Sequence, residues 1–99
     1  MKPLQIKWKR QALRRVDEIA VWYADNVGKT AARHFLQGIS ETIQTLSQSP
    51  NIGKVDDRRS SSRIRFYSFV AHPKYKIIYY FNTRSIYIVT IHRTQMKKG

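Results

Sequence analysis

Cysteine is absent from the 99-residue sequence, so neither disulfide bonds nor thiolate metal sites are available to it. No stretch approaches the ~20 apolar residues that cross a membrane, and residues 1–10 lack the apolar run of a signal peptide. Glycine and proline are few, and no repeat or low-complexity segment interrupts the chain. These absences predict a cytoplasmic protein, not associated with a membrane, whose fold is held by packing alone.

Acidic residues are also scarce, because six Asp and Glu stand against 19 Lys and Arg, a formal net charge of +13. All six acids precede Arg58, so residues 58–99 form an acid-free basic half. This half favours a polyanionic partner, either nucleic acid or an acidic protein, although a merely solubilising surface is the alternative. The cations that we predict to bind a partner are Arg58, Arg59, Arg63, Arg65, Lys74, Lys76, Arg84 and Arg93.

The length and the 41% apolar content predict one domain, residues 1–99, with a single modest core. A short alternating strand, Leu4–Trp8, precedes two amphipathic helices. The first helix runs from about Ala12 to a stop at Gly28, and the second from Thr30 to Ser49-Pro50. The predicted core faces of the two helices are Ala12, Leu13, Val16, Ile19, Ala20, Tyr23 and Val27, and then Ala32, Phe35, Leu36, Ile39, Ile43 and Leu46.

Residues 50–62 have the composition of a loop, and three β-branched and aromatic runs follow it. These runs, Ile64–Val70, Tyr75–Phe81 and Ser85–Arg93, predict an antiparallel meander. The predicted fold class is therefore α+β. It has a short N-terminal strand and a helical hairpin packed on one face of an antiparallel sheet formed with the C-terminal three-strand meander.

Alternation along the strands predicts which side chains face the helices and which face away from them. The predicted inward set is Ile77, Tyr79, Phe81, Tyr87, Val89 and Ile91, and the predicted outward set is Lys76, Ile78, Tyr80, Ile88, Thr90 and His92. The open face would then gather Arg65, Lys76 and His92. These three are either a functional site or ordinary solvated residues of a one-sided sheet.

Several segments, taken in order, resemble the RelE/ParE toxin superfamily over nearly the whole chain. Helix one carries LRRVDEIAVWY from Leu13 to Tyr23, similar to the L-x-x-I-x-x-Y pattern, and helix two carries AARHFLQGISETIQTL followed by SPNIGK. The strands carry Arg63 to Phe66, then YKIIYY from Tyr75, and finally IYIVTIHR from Ile86 to Arg93. They are similar to the R-x-hydrophobic, Y-hydrophobic-hydrophobic-Y and I-x-I-hydrophobic-x-I-x-H-x-R segments of that superfamily.

The resemblance implies a toxin that is neutralised by an unstable acidic antitoxin, whose flexible segment wraps it. Operator DNA would be bound only through the toxin–antitoxin complex. The superfamily divides by target: ParE-like members poison DNA gyrase and are not nucleases, whereas RelE-like members cut messenger RNA on the ribosome. A third interpretation, a non-toxic basic RNA-binding module, would stack bases on Tyr67, Phe69, Tyr80 and Tyr87, of which half should be core.

If the chain is a nuclease, its catalysis must be metal-free and without a cofactor, since three scattered histidines and an acid-free sheet half do not predict a metal site. The catalytic residues would be His92 as acid or base and Arg65, Lys76 and Arg93 as phosphate-binding cations. Asp56 or Asp57 would offer a carboxylate base, but solvated loop residues are the commoner case. Lys76 stands where RNA-cleaving relatives often keep an arginine, and this departure favours the ParE-like interpretation.

Overall fold

Within residues 2–72 and 75–93, which the computed structural model describes, the chain forms two helices and a five-stranded sheet. The predicted α+β fold is confirmed. Along the chain the elements are β1 (Gln5–Trp8), α1 (Arg10–Asn26), α2 (Lys29–Gln48), a short 3₁₀ turn (Pro50–Ile52), β2 (Lys54–Val55), β3 (Tyr67–His72), β4 (Tyr75–Phe81) and β5 (Ser85–Arg93). The strand order in the sheet is β1-β5-β4-β3-β2. No helix in the described part of the chain combines the length and hydropathy needed to cross a membrane.

The helical hairpin turns at Gly28, as predicted. Gly28 has a φ of 141°, which disfavours any residue with a Cβ, and its N–H donates to the Tyr23 carbonyl at 2.8 Å. The buried residues of the helices are Ala12 and Ile19 on α1 and Ala32, Phe35, Ile39, Ile43, Leu46 and Ser47 on α2. The sheet therefore covers one face of the hairpin only.

Three apolar helix residues that we predicted to be core are exposed instead. Leu13 is 52% exposed, Val27 is 63% exposed and Leu36 is 44% exposed. The predictions were wrong because the apolar stripe along each helix is wider than the part of the helix surface that the sheet covers. Residues at the margins of the stripe therefore stay in solvent. Val27 also lies beyond the last residue of α1.

β1 runs parallel to β5, whereas the other three strand pairs of the sheet are antiparallel. The sheet is thus mixed rather than antiparallel throughout. Antiparallel neighbours can be joined by tight turns, but a parallel pair needs a long crossover. The chain between Trp8 and Ser85, which includes both helices, provides that crossover.

The segment predicted as a loop contains β2, which pairs with β3 through Lys54 opposite Ser68 and Val55 opposite Tyr67. A two-residue strand is too short to show a period in the sequence. β3 also begins later than predicted, at Tyr67 rather than Ile64. The Ser60 hydroxyl accepts the Phe66 N–H at 2.9 Å, and the Ser61 N–H donates to the Ile64 carbonyl at 2.8 Å, so the chain is still looped there.

The alternation predicted for β5 is wrong in its first half. The pairing of β4 with β5 shifts between Ile78 and Tyr79, which leaves Val89 as an extra residue. Ile86 and Ile88 consequently face the core, while Tyr87 stacks on Tyr80 on the other face. Beyond the bulge, Ile91 is core and His92 faces outward, as predicted. Ile78 and Thr90 lie on the outward face, also as predicted, but both are buried.

Tyr79 joins the core to the strand at the edge of the sheet. Its ring is fully buried, its hydroxyl donates to the Pro50 carbonyl at 2.6 Å, and it accepts the Gly53 N–H at 3.1 Å. Burial raises the pKa of Tyr79 to about 12, although the Gly53 hydrogen bond opposes this shift. A Cβ on Gly53 would overlap the Tyr79 hydroxyl, so this approach requires glycine. The turn before β2 is thereby fixed against the core.

Replacement of two neighbouring β4 residues tests the register of this strand. Ile77→Ala should cost on the order of 2 to 5 kcal/mol of unfolding free energy, because Ile77 is fully buried in the core. Lys76→Ala should cost well under ~1 kcal/mol, because its half-buried side chain lies on the opposite face. Denaturant unfolding of both variants measures this difference, and a larger cost at Lys76 would mean that the strand is placed one residue out of register.

Candidate functional site

The face of the sheet opposite the helices holds an open cleft of about 590 Å³, which we call the outer cleft. β2 and the loop after it form one wall, and β3, β4 and the end of β5 form the rest. The lining residues are Lys54, Val55, Asp56, Asp57, Arg58, Arg59, Ser68, Lys76, Ile78 and His92. Four cations and a histidine face two carboxylates there, so the outer cleft suits an anionic ligand.

Lys76 and His92 lie side by side in the outer cleft because they are direct partners in the β4–β5 pairing. Directly opposed residues of an antiparallel pair project from the same face, with Cβ atoms about 5 Å apart. These are two of the four residues that we predicted as a catalytic set, and the structure brings them together.

Arg59 contacts His92, a contact that the sequence did not indicate. The Nη2 atom of Arg59 lies 2.8 Å from Nε2 of His92. A guanidinium only donates, so Nε2 accepts and the ring proton of the neutral imidazole resides on Nδ1. Burial lowers the pKa of His92, and the positive charges of Arg59, Arg15 and Lys76 lower it further, against a smaller opposing effect of Asp56.

Asp56 holds Arg59 in this position. The Arg59 backbone N–H donates to Oδ1 of Asp56 at 3.3 Å, and Nε of Arg59 lies 3.6 Å from Oδ2. The Ser60 hydroxyl donates to the Asp56 carbonyl at 2.7 Å and closes the turn. Asp56 is therefore a structural partner of Arg59 rather than a solvated residue, and its spacing of three from Arg59 is the only local signal of this pair.

The other two residues of the predicted catalytic set lie elsewhere. Arg93 projects to the helical side, where its guanidinium carbon is 5.5 Å from the centre of the Trp22 ring. Arg65 is exposed in the segment before β3 and does not line the outer cleft. Alternation places His92 and Arg93 on opposite faces of β5, so these two neighbours cannot act together on one phosphate.

The remaining predicted partner-binding cations divide between the outer cleft and its surroundings. Arg58 and Arg59 line the cleft, Arg63 is exposed in the loop before β3, and Arg84 is exposed in the turn before β5. Lys74 lies outside the described residues. Among the residues that are described, no three His, Asp or Glu side chains cluster as metal ligands would.

Two of the four aromatic residues that we considered for base stacking lie on the outer face. Tyr80 and Tyr87 stack with ring centres 4.8 Å apart and planes 18° apart, and Nζ of Lys9 lies 5.5 Å from the centre of the Tyr87 ring. Tyr67 and Phe69 pack against the core, so the expectation that half of the four are core is confirmed.

The lowered pKa of His92 predicts that this residue contributes to the pH dependence of stability. The unfolded chain binds a proton at this histidine more tightly than the folded chain does, near pH ~6.5. The stabilisation that neutral His92 contributes is therefore complete above pH ~6.5, the pKa of a histidine in the unfolded chain. It is lost as the pH falls through the lower pKa that His92 has in the folded chain. His92→Gln keeps a hydrogen-bond acceptor for Arg59 but cannot be protonated, so its melting temperature should fall less in acid than that of the wild type.

Thermal unfolding at constant ionic strength measures this difference. His34→Gln is the matched control, because His34 is exposed on α2, and it should follow the wild-type profile. Parallel profiles for the wild type and His92→Gln would contradict the assigned shift.

Two of the three comparisons with known proteins match most of the chain. The family model for the ParE toxin of the type II toxin–antitoxin system parDE matches residues 6–97. Among solved structures, the chain is similar to the chromosomal ParDE toxin–antitoxin system from P. aeruginosa, with 24% identity, a TM-score of 0.70, and coverage of 93% of this chain and 97% of that one. It is also similar to the YoeB dimer from Staphylococcus aureus, with 19% identity, a TM-score of 0.52, and coverage of 90% and 94%.

At these identities, the two structural likenesses support the fold alone. A comparison with curated proteins found no match. The family model, however, covers all but the ends of the chain, and the elements that it spans are those described above. The chain therefore belongs to the ParE toxin family of type II toxin–antitoxin systems.

Proposed function

We propose that this ParE-family toxin inhibits growth by binding DNA gyrase and is held inactive by a cognate acidic antitoxin. The observation that carries the proposal is the ParE family match over residues 6–97. Membership of a type II toxin family implies a cognate antitoxin. Gyrase is the target that the ParE resemblance implies.

The geometry of the outer cleft supports a binding function over RNA cleavage. Metal-free cleavage needs a base for the ribose hydroxyl, cations at the phosphate and an acid for the leaving oxygen. His92 Nε2 already accepts a hydrogen bond from Arg59, and the lowered pKa makes the proton-donating imidazolium scarce at neutral pH. Arg93 and Arg65 lie outside the cleft. The residues that remain there can hold an anion more readily than they can transfer protons.

One observation favours a second function, ribosome-dependent cleavage of messenger RNA. The outer cleft does bring a carboxylate, a histidine and two cations together in Asp56, His92, Arg59 and Lys76. A rotation of the Arg59 side chain away from Nε2 would free His92 to act as a base. The ribosome with its messenger RNA would then be the target. The lysine remains a point charge that cannot bind a phosphate with two parallel hydrogen bonds.

The exposed cations beside the outer cleft also support the proposal that the partner is an acidic antitoxin. Arg58, Arg63 and Arg65 are exposed, and among the described residues none of the three makes an ion pair. Their charges are available to carboxylates of a partner that wraps this side of the domain. Operator DNA would be bound only by the complex, through the antitoxin.

The substitution His92→Ala discriminates the two targets. A nuclease that uses His92 should lose about 10² to 10⁴ in rate and most of its toxicity. A gyrase poison should remain toxic, and we expect this result. The measurements are growth after induction, induction of the DNA-damage response, inhibition of purified gyrase, and cleavage of messenger RNA at codons.

Melting temperature and antitoxin binding of the same His92→Ala protein are the controls, because His92 is half-buried and its removal also removes the hydrogen bond to Arg59. Codon-dependent cleavage by the wild type that His92→Ala abolishes, in a folded variant that still binds antitoxin, would overturn the gyrase proposal. Normal supercoiling by gyrase at saturating toxin would do the same.

Reversal of charge at Arg63 and Arg65 tests the antitoxin surface. The double variant Arg63→Glu/Arg65→Glu should bind the protein encoded by the adjacent small reading frame more weakly than the wild type, with little loss of stability, because both side chains are exposed. Arg10→Glu/Arg14→Glu makes the same change in net charge on exposed positions of α1 and should bind nearly as the wild type does. If both double variants weaken antitoxin binding equally, net charge alone explains the loss. That result would contradict the assignment of Arg63 and Arg65 to the antitoxin-binding surface.

A further inference from the structure

The outer face carries two kinds of side chain in line along the β4–β5 pair. At one end Lys76 is opposite His92, and at the other end Tyr80 is opposite Tyr87. Lys76 and Tyr80 are four residues apart on the same face of β4, which is about 13 Å at ~3.3 Å per residue. Cations and aromatic rings thus lie within the reach of one short extended ligand.

At the cationic end, three of the four cations form no ion pair with a carboxylate among the described residues. Arg59 pairs with Asp56, but Lys54, Arg58 and Lys76 make no ion pair within residues 2–72 and 75–93. All three line the outer cleft, and Ile78 lines it beside Lys76. An open cleft of this kind, with cations around an apolar floor, can follow a chain of phosphates.

The aromatic end is a stacked pair with a third ring and cations around it. The edge of the Phe66 ring packs against Tyr80, with centres 5.4 Å apart and planes at 86°. Lys7 is opposite Tyr87 in the β1–β5 pairing, so it lies on the same outer face. Tyr80 and Tyr87 are half-buried, so their rings are fixed yet partly accessible. Every nucleobase has a face that can stack on such rings.

We propose that the outer face binds single-stranded nucleic acid, with phosphates in the outer cleft and a base against the Tyr80–Tyr87 pair. A single strand is required, because a base in a duplex is already stacked and paired. An acidic peptide would need the cations but not the rings, and the alignment of both therefore favours a nucleic acid. This binding involves no cleavage and does not depend on gyrase as the target.

Binding of fluorescent oligonucleotides of about twelve nucleotides, one of deoxythymidine and one of uridine, tests the proposal directly. Fluorescence anisotropy with the purified chain should give saturable binding to one or both, and the ratio of the two affinities identifies DNA or RNA as the preferred strand. Tyr87→Leu should lower the affinity about tenfold, whereas Tyr87→Phe, which keeps the ring face, should retain it. Arg58→Gln/Lys76→Gln should reduce the slope of log K against log salt by about 0.7 for each phosphate that the variant no longer neutralises.

Matched controls lie on the helical side. Trp22→Leu removes a 46%-exposed aromatic ring, and Arg14→Gln/Arg33→Gln removes two exposed cations from α1 and α2. Both variants should bind as the wild type does, and thermal unfolding of every variant verifies its fold.

The proposal is overturned if neither oligonucleotide binds, or if the helical-side variants weaken binding as much as the outer-face variants do. It is also overturned if polyglutamate binds with the same affinity as the oligonucleotides and Tyr87→Leu does not change the oligonucleotide affinity. The outer face would then be a surface for an acidic protein. Gyrase inhibition is measured separately, so failure here leaves the proposed target untouched, and the reverse also holds.

Discussion

The position of His92 and of the whole outer face depends on one irregularity, the extra residue Val89 in β5. Strict alternation from Ile86 and Ile88, which face the helices, would turn Thr90 inward and Ile91 outward. His92 would then point into the core beside the helices, and Arg93 would occupy the outer face. The bulge reverses the alternation once, so that Ile91 is buried opposite Ile77 while His92 lies opposite Lys76. The burial of three isoleucines and the position of the half-buried His92 on the outer face thus both follow from the same bulge.

This dependence explains which parts of the structure a single sequence could predict. β4 alternates regularly, and the prediction that Ile77 and Tyr79 are core while Lys76 is not agrees with the structure. β5 carries the extra residue, so the prediction that Tyr87 faces inward was wrong although the strand itself was placed correctly. β2 is defined by its pairing with β3 and has no pattern of its own. The Arg59–His92 contact joins residues 33 positions apart, and its formation depends on how Asp56 and Ser60 fold the intervening loop.

The charge distribution of the domain follows from the same one-sided packing. The helices cover one face of the sheet, and their five cations are nearly balanced by four carboxylates, so most of the net positive charge of the described residues lies on the strands and loops. Only two ion pairs occur among the described residues, Arg15 with Glu18 and Arg59 with Asp56. Exposed pairs of this kind contribute little to stability, and a net charge of +13 opposes the compact state through repulsion. Stability must therefore come from the buried isoleucines, Tyr79 and the aromatic contacts around them.

The cations of the outer face contribute little to the stability of the fold, and the composition of this face differs from that of a surface that only keeps a protein in solution. A solubilising surface needs charge but has no use for Tyr80 and Tyr87, which are stacked on each other and remain partly accessible. Nor does it need a histidine whose pKa is lowered by burial and by three neighbouring cations, since that arrangement costs stability in acid. Asp56 has two opposite effects here, because its negative charge favours the protonated imidazole while its pairing with Arg59 keeps that guanidinium beside Nε2 of His92. The loop that carries Asp56 and Arg59 thus both lines one side of the outer cleft and places a guanidinium against Nε2 of His92. The outer cleft thus combines residue types that a metal-free nuclease would use with a balance of charges that suits an anionic ligand.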